Sequence, residues 1–391
     1  MSRIDELIES LCPDGVPFEP LASIGDWYGG GTPSKSQPEF WLNGTIPWVS
    51  PKDMGRAVVD RTEDYITEAA VKGSATKIVP PTSVAMVVRS SILDRIFPTA
   101  LIPVQVALNQ DMKAVVPRDG ILPGYVAHIL RSRGQAVLRF ARKTGGSVAS
   151  IESSKLFSFR IPVPPVAVQH EIVRVLDLFQ DLEAELEAEL EARQRQYAFY
   201  RGSLLTFPGT QVRKIPMGEV LSMRSGHFIS ASQISSLQDP EHPFPCFGGN
   251  GLRGFVALPN HEGDYVLIGR QGAYSGNVKR VSGQFYATEH AVVATVGADL
   301  RVDWTFHMLT EMNLNQYASK GAQPGLAVGM LNALLMPVPA LGEQAKTANA
   351  LDKFDALAND PWVGLPAELK ARRKQHEYYS DRLLTFEETA V

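Results

Sequence analysis

The sequence predicts an α+β chain in which two globular α/β domains are separated by two long helical regions. Those regions carry an internal repeat, and if they pair as an antiparallel coiled coil a pseudo-two-fold axis relates the halves. Three observations predict this. The endings "YRGSLLTF" at 200–207 and "YSDRLLTF" at 379–386 share five of eight residues in register. Each ending closes a long stretch of helical periodicity. Each such stretch follows sequence punctuated by Pro and Gly, with the short apolar alternation of strands. A chain of 391 residues is long for one core. The order globular, helical, globular, helical places boundaries at 1–160, 161–207, 208–335 and 336–391.

The first domain opens on "MSRIDELIESL", which is charged from its third residue and reads as a short amphipathic helix rather than a leader. No apolar run approaches the roughly 18 residues that span a bilayer. Only Cys12 and Cys246 are present, far apart, which excludes a disulfide framework and suits a reducing cytoplasm. The net charge of −4 gives no support by itself to a nucleic-acid partner. Its distribution is uneven: +2 over 1–160, −4 over 161–207, 0 over 208–335 and −2 over 336–391. A basic binding face on the globular domains is therefore permitted, not demanded.

Within the first domain, "DWYGGGTPSKSQPEFWLNGTIPWVSPKDM" (26–54) joins a glycine run to aromatic sequence. It lacks the Lys-Ser/Thr of a P-loop and the spacing of a dinucleotide fingerprint, so it reads as a flexible surface loop before a strand at "TIPWVS". The stretches 66–92 and 107–117 read as short strands. "RKTGGSVASIESSKL" (142–156) reads as a basic Gly/Ser-rich loop.

The helical regions carry the repeat. "IPVPPVAVQHEIVRVLDLFQDL" (161–182) and "MPVPALGEQAKTANALDKFDAL" (336–357) match at 8 of 22 positions, and 190–207 and 369–386 match at 9 of 18. Chance agreement is about one position in fifteen to twenty. The offset grows from 175 to 179, so the second copy holds four extra residues near "NDPWVGLPAE". Apolar residues at Ile172, Leu176, Phe179, Leu182, Leu186, Leu190, Tyr197, Tyr200 and Leu204 mark one helix face. Pro164 and Pro165 must precede this helix, which is expected from near Val168 to Leu205. Pro361 and Pro366 divide the second copy into two helices, with Pro366 in the first turn of the later one. Its stripe includes Leu351, Phe354, Leu369, Tyr379 and Leu383. Two such stripes bury each other best when the helices pair.

The second domain holds "FPCFGGNGLRGFV" (244–256), "EGDYVLIGRQGAYSGNVKRV" (262–281) and "YATEHAVVAT" (286–295), and "SKGAQPGLAVGML" (319–331) lies opposite "TGGSVASIESSKL" at the 175 offset. Exposed Arg, Lys, Asn and Gln beside glycines suit phosphate and base-edge contacts, though such glycines also serve plain tight turns. Catalytic signals are missing. No Gly-rich cofactor turn with an Asn/Asp-Pro-Pro-aromatic motif appears, and "EGDYVLIGRQ" has Arg270 and Gln271 where a nuclease needs a lysine. "HPFPC" is two ligands short of a zinc site, and His290 beside Glu289 reads as a packed or hydrogen-bonding residue. No catalytic residue and no metal is expected.

Taken in order, "CPDGV", "IPWVSPKDM" with "ITEAA", "NQDMKAVVP", "GGNG…IGRQGAYSGNV…TEHAVV" and the paired "PVP…Q…L" and "R…Q…Y…LLTF" repeats resemble the specificity subunit of type I restriction-modification enzymes over the full length. The resemblance implies two target recognition domains, each reading one half of a split, asymmetric double-stranded DNA sequence. It implies helical regions that set the unread gap and dock two modification (methyltransferase) subunits. Those partners bind S-adenosylmethionine and methylate adenine, and two restriction subunits using ATP and Mg join in some complexes; this chain itself holds no cofactor. "EAELEAEL" (183–190) writes a four-residue unit twice, and each unit lengthens a helix by about 6 Å. A scaffold that joins two proteins without reading DNA is the competing reading.

The expected DNA contacts are loop residues: Lys35, Lys52, Arg56, Arg89, Gln110, Arg142 and Lys143 in the first domain. In the second they are Arg224, His227, Asn250, Arg253, Arg270, Gln271, Asn277 and Gln323. The basic ones would meet phosphates, and Asn, Gln and some Arg would read base edges.

Overall fold

The computed structural model describes residues 3–143, 145, 147–207, 212–272, 274–319 and 324–389. It divides into two compact units, one of residues 1–185 with 370–391 and one of residues 186–369.

In the first unit, strands Gly25–Gly29, Met112–Pro117, Ser83–Val87 and Thr99–Ile102 form an antiparallel sheet in that order. Ser83–Val87 is buried at every position, so it shows no alternation. Each Val or Met it removes from water contributes about 1.5–3 kcal/mol. Helix Pro123–Ser132 covers this sheet with Tyr125, Val126, Ala127, Ile129 and Leu130 fully buried, and proline opens its first turn. A second small sheet runs Tyr65–Ile66, Ile46–Val49, Val106–Leu108, Ile78–Val79. Its two middle strands are parallel, with Trp48 opposite Ala107 and Val49 opposite Leu108. Phe18–Pro20 pairs with Arg160–Pro162 to close the head where chain enters and leaves.

The second unit repeats this strand for strand. Leu221–Ser225, Ala291–Val296, Tyr265–Gly269 and Val278–Val281 form the larger sheet. Gly251–Val256, Phe244–Gly248, Gln284–Ala287 and His261–Glu262 form the smaller, again with a parallel middle pair. Arg213–Pro216 pairs with Leu335–Val338. Helix Val302–Glu311 buries Trp304, His307 and Leu309 where the first head has its covering helix.

The central helix spans Val166–Leu205, 40 residues and about 60 Å. It starts directly after Pro165, two residues ahead of the sequence expectation. The second copy forms Leu341–Asn359 and Leu365–Leu383, and the break exposes Trp362 and Val363 at 84% each. Gly364 lets the break turn tightly, since a Cβ there would stand 2.4 Å from the Ala356 carbonyl oxygen. Within the first unit, Phe179 stacks on His376 and Tyr379, while Glu183 meets His376 and Arg373. Within the second, Tyr200 stacks on Phe354 and Gln194 donates to the Ala358 carbonyl. In both, numbers rise on one helix as they fall on the other, so the pairing is antiparallel.

Three local readings differ from the sequence expectation. Residues 68–73, read as strand, form a helix because the Thr67 hydroxyl accepts from the Ala70 N–H (3.3 Å) and caps it. The glycine run is no flexible loop: a Cβ on Gly30 would stand 1.8 Å from the Asn109 carbonyl oxygen, and Trp48 Nε1 donates to the Gly31 carbonyl. Leu204 is 39% exposed while Leu205 enters the second unit's core, and likewise Leu384 rather than Leu383 is fully buried in the first. Each of these buried leucines joins the core cluster of its own unit, one residue along from the expected stripe.

Candidate nucleic-acid interface

Parallel strands end side by side, so the loops leaving their C-terminal ends must be neighbours. In the first head Val49 and Leu108 end the pair, and the Asn109 N–H donates to the Val49 carbonyl (2.8 Å). The loop "SPKDM" is built on Asp53, which is buried and accepts from the Ser50 N–H (2.8 Å), the Ser50 hydroxyl (2.9 Å) and the Glu63 N–H (2.9 Å). This peg presents Lys52 and Arg56, with Arg61, around a cleft of about 370 Å³. Lys52 pairs loosely with Glu63 (3.7 Å) and Arg56 with Asp60 (3.7 Å), exposed contacts worth little energy. The next loop carries exposed Gln110 between Asn109, which accepts from the Asp111 N–H, and Asp111, which holds Arg89. Arg89 and Lys143 both meet Ser150 through backbone, and Arg142 pairs with Asp94. The fold thus gathers Arg89, Gln110, Arg142 and Lys143. Lys35 is exposed and lies outside this group.

The second head builds the same rim from different residues. Loop 248–251 leaves one parallel strand and loop 288–290 the other, tied by the Thr288 N–H to the Phe247 carbonyl (2.9 Å). The loop after Gly269 joins them: Arg270 N–H donates to the His290 carbonyl (2.8 Å), and Gln271 bridges Gly325. Glycines are required here by space, since a Cβ on Gly269 would stand 2.2 Å from the Gly249 carbonyl oxygen. The result is a cleft of about 330 Å³ lined by Asn250, Leu252, Arg253, Gln271, Tyr274 and His290. His290 Nδ1 lies 2.7 Å from Gln271 Oε1, and its Nε2 lies 3.2 Å from Glu289 Oε1.

The remaining expected residues scatter. Arg224 is exposed on strand Leu221–Ser225. His227 sits beside Asn260 and His261, whose imidazole is pushed below the usual histidine value by burial and then by His227. The Asn277 N–H donates to the Tyr274 carbonyl (3.0 Å), and the Asn277 carbonyl accepts from the Gly269 N–H (2.7 Å). Gln323 lies outside the described residues. Sequence reasoning missed Arg61 and Tyr274, although an exposed aromatic among glycines in "QGAYSGN" was a readable signal for stacking. Burial pushes the Cys246 thiol up to about 11, which suits packing rather than reactivity. Among the described residues no group of three His, Cys, Asp or Glu could hold a metal.

Of the expected spacer residues, Leu176, Leu186, Tyr197, Leu351 and Leu369 are buried, and Phe179, Leu182, Leu190, Phe354 and Tyr379 are half-buried. Among the described residues no helix is long and apolar enough to cross a membrane.

Two copies of one reading head, each with polar loops gathered over a parallel strand pair, define a class of modular recognition proteins. The model of the type I restriction modification DNA specificity domain matches residues 13–192 and 217–371. The chain belongs to this family, and its function is DNA sequence specificity within a type I restriction-modification enzyme. It is 42% identical to the Escherichia coli type I restriction enzyme EcoprrI specificity subunit over 366 residues, 88% of this chain and 90% of the relative. It is 58% identical to the EcoR124I/EcoR124II specificity subunit of the same organism over 197 residues, 49% of each chain. The fold resembles the crystal structure of the type I restriction-modification S subunit from M. genitalium, with TM-score 0.63, 16% identity and coverage of 95% and 96%.

Proposed function

We propose that each head reads one half of a split, asymmetric DNA site through the loops at its parallel strand ends, and that the paired helices set the gap between halves. The observation that carries this is the double occurrence of one polar loop cluster on one ten-strand head, each attached to its own stretch of paired helix. Lys52, Arg56, Arg89, Arg142, Lys143 and Arg253 supply phosphate contacts, and Gln110, Asn250 and Gln271 face base edges. Lys35, Arg224, His227, Arg270 and Asn277 are secondary contacts. The chain works without catalysis of its own, in the cytoplasm. The helical regions dock two methyltransferase subunits, which bring S-adenosylmethionine, and restriction subunits bring ATP and Mg where they join.

Selection from random duplex DNA, with and without a co-expressed methyltransferase subunit, tests this reading. Two short motifs at a fixed gap are expected, and a further "EAEL" unit should change the gap alone. Enrichment of a single uninterrupted motif would refute the two-headed reading.

A further inference from the structure

We propose that Glu289, His290 and Gln271 form a relay that fixes the polarity of the Gln271 amide, so that it reads a base edge presenting acceptors, guanine O6 and N7. The proposal rests on the base-reading role given above to the second head.

The chemistry follows from which atoms can donate. Gln271 Oε1 is a carbonyl oxygen and only accepts, so His290 Nδ1 donates across their 2.7 Å contact. On the other side of the ring, Nε2 lies 3.2 Å from Glu289 Oε1, so the carboxylate flanks the imidazole. The imidazole is held between a carboxylate and an amide carbonyl. Glu289 Oε2 is buried and has no hydrogen-bond partner among the described residues, which leaves His290 as the group that answers this carboxylate. The backbone is pinned as well as the side chain. Arg270 N–H is on the His290 carbonyl, Gly272 N–H is on the Pro324 carbonyl (2.9 Å), and Gln271 bridges Gly325.

Gln271 lines a cleft with Asn250, Arg253 and Tyr274, and with its carbonyl oxygen held on His290 the NH₂ is the group left to offer a base. A free glutamine pairs with adenine because it offers one acceptor and one donor together. A glutamine whose carbonyl oxygen is already held by His290 is the poorer partner for that pair, because one lone pair and the orientation of the amide are committed. It matches guanine, whose major-groove edge shows two neighbouring acceptors, and Arg253 in the same cleft favours the same edge. His290 and Glu289 are thus positioning residues that set specificity without touching DNA.

The test is selection from random duplex DNA by the full chain with its methyltransferase partner, comparing wild type, Gln271→Ala, His290→Ala and Glu289→Gln. One position of one half-site should require guanine. Gln271→Ala should lower discrimination there by roughly tenfold or more and leave other positions unchanged. His290→Ala should admit adenine at that same position, with unaltered binding to non-specific DNA as the check on folding; Glu289→Gln should do so more weakly. Three results overturn the relay while leaving the split-site reading intact. These are adenine at the Gln271-dependent position in wild type, a Gln271→Ala variant weakened on all sequences alike, and a His290→Ala variant with unchanged base preference. Failure of wild type to enrich any split motif would remove the base-reading role and the relay with it.

Discussion

The two places where a head meets its paired helices are built on one plan and finished with different chemistry. In both, a fully buried glutamine latches the loop ahead of the covering helix. Gln169 accepts from the Leu122 N–H (2.9 Å) and donates to the Gly120 (3.0 Å) and Pro164 (2.7 Å) carbonyls. Gln344 accepts from the Arg301 N–H (2.9 Å) and donates to the Asp299 (2.8 Å) and Pro339 (2.9 Å) carbonyls. In both, a buried histidine reaches an aspartate on the helix: His128 Nε2 to Asp177 and His307 Nε2 to Asp352, each 2.8 Å. The stacked pairs Phe179–Tyr379 and Phe354–Tyr200 are also counterparts.

The difference lies at one repeat position, occupied by Tyr197 in the second unit and His376 in the first. The Tyr197 hydroxyl donates to His307 Nδ1 (3.0 Å) and seals that junction. His376 turns instead to Glu183 (2.7 Å) and stacks on Phe179, and His128 Nδ1 is left with a long contact to Gln180 (3.4 Å). A cleft of about 850 Å³ opens there, lined by His128, Arg131, Gln135, Gln180, Arg373 and Asp381 among others. Duplication preserved the groups that hold backbone and let the groups that fill space diverge.

The largest effect should come from breaking what the junctions share. Gln169→Leu and Gln344→Leu each strand one N–H and two carbonyls in a buried site, a loss of about 3 kcal/mol or more. Hydrogen exchange should localise the damage, to 120–130 for the first and 299–309 for the second. Equal exchange in both units for either variant would contradict independent latches.

Next comes the residue that distinguishes them. Tyr197→Phe leaves His307 Nδ1 buried without a donor and should lower the second unit's stability by about 1–2 kcal/mol in urea denaturation. The equivalent change at His376 should cost less, because His376 does not reach its buried histidine.

Acid should weaken both junctions. His128 and His307 are held below the usual histidine value, burial being the main cause, with Arg131 and His376 adding to it for His128 and Arg280 for His307. Their aspartates oppose the shift, but Asp177 is half exposed and its charge is screened. A histidine neutral when folded and protonated below about 6.5 when unfolded stabilises the fold above that pH. That contribution drains as pH falls through 6.5 toward the depressed folded value. Stability measured from pH 7.5 to 5 should therefore decline, and His128→Asn with His307→Asn should flatten the decline.

The smallest effect should be His376→Tyr, which gives the first junction the second one's hydroxyl. A new bond to His128 replaces the one to Glu183, so stability should change by less than about 1 kcal/mol. The His128 ring resonances should move toward those of His307.

Much of this was legible in the chain. The duplicated "PVP…Q…L" and "LLTF" blocks located both helical copies, because a stripe that must stay buried along 40 residues tolerates few changes of register. The identity of the two heads was not legible beyond their last loops. Strands Ser83–Val87 and Tyr265–Gly269 occupy equivalent places with unlike sequences, since a buried strand asks for apolar volume rather than particular residues. Gln169 and Gln344 were visible as matched letters in the repeat, but their role needed the loops that fold onto them.

The sequence by itself determined the repeat, the helix limits set by Pro165 and Pro361, and a set of polar loop residues without evident catalytic partners. Those are local or periodic properties, written in short spans of chain. Only the tertiary structure decided which loops become neighbours, that Gly30 and Gly269 serve close backbone approach, and that Glu289 and His290 orient Gln271. Parallel strand pairing joins residues some forty to sixty positions apart, and no local pattern records which of many apolar segments will lie side by side.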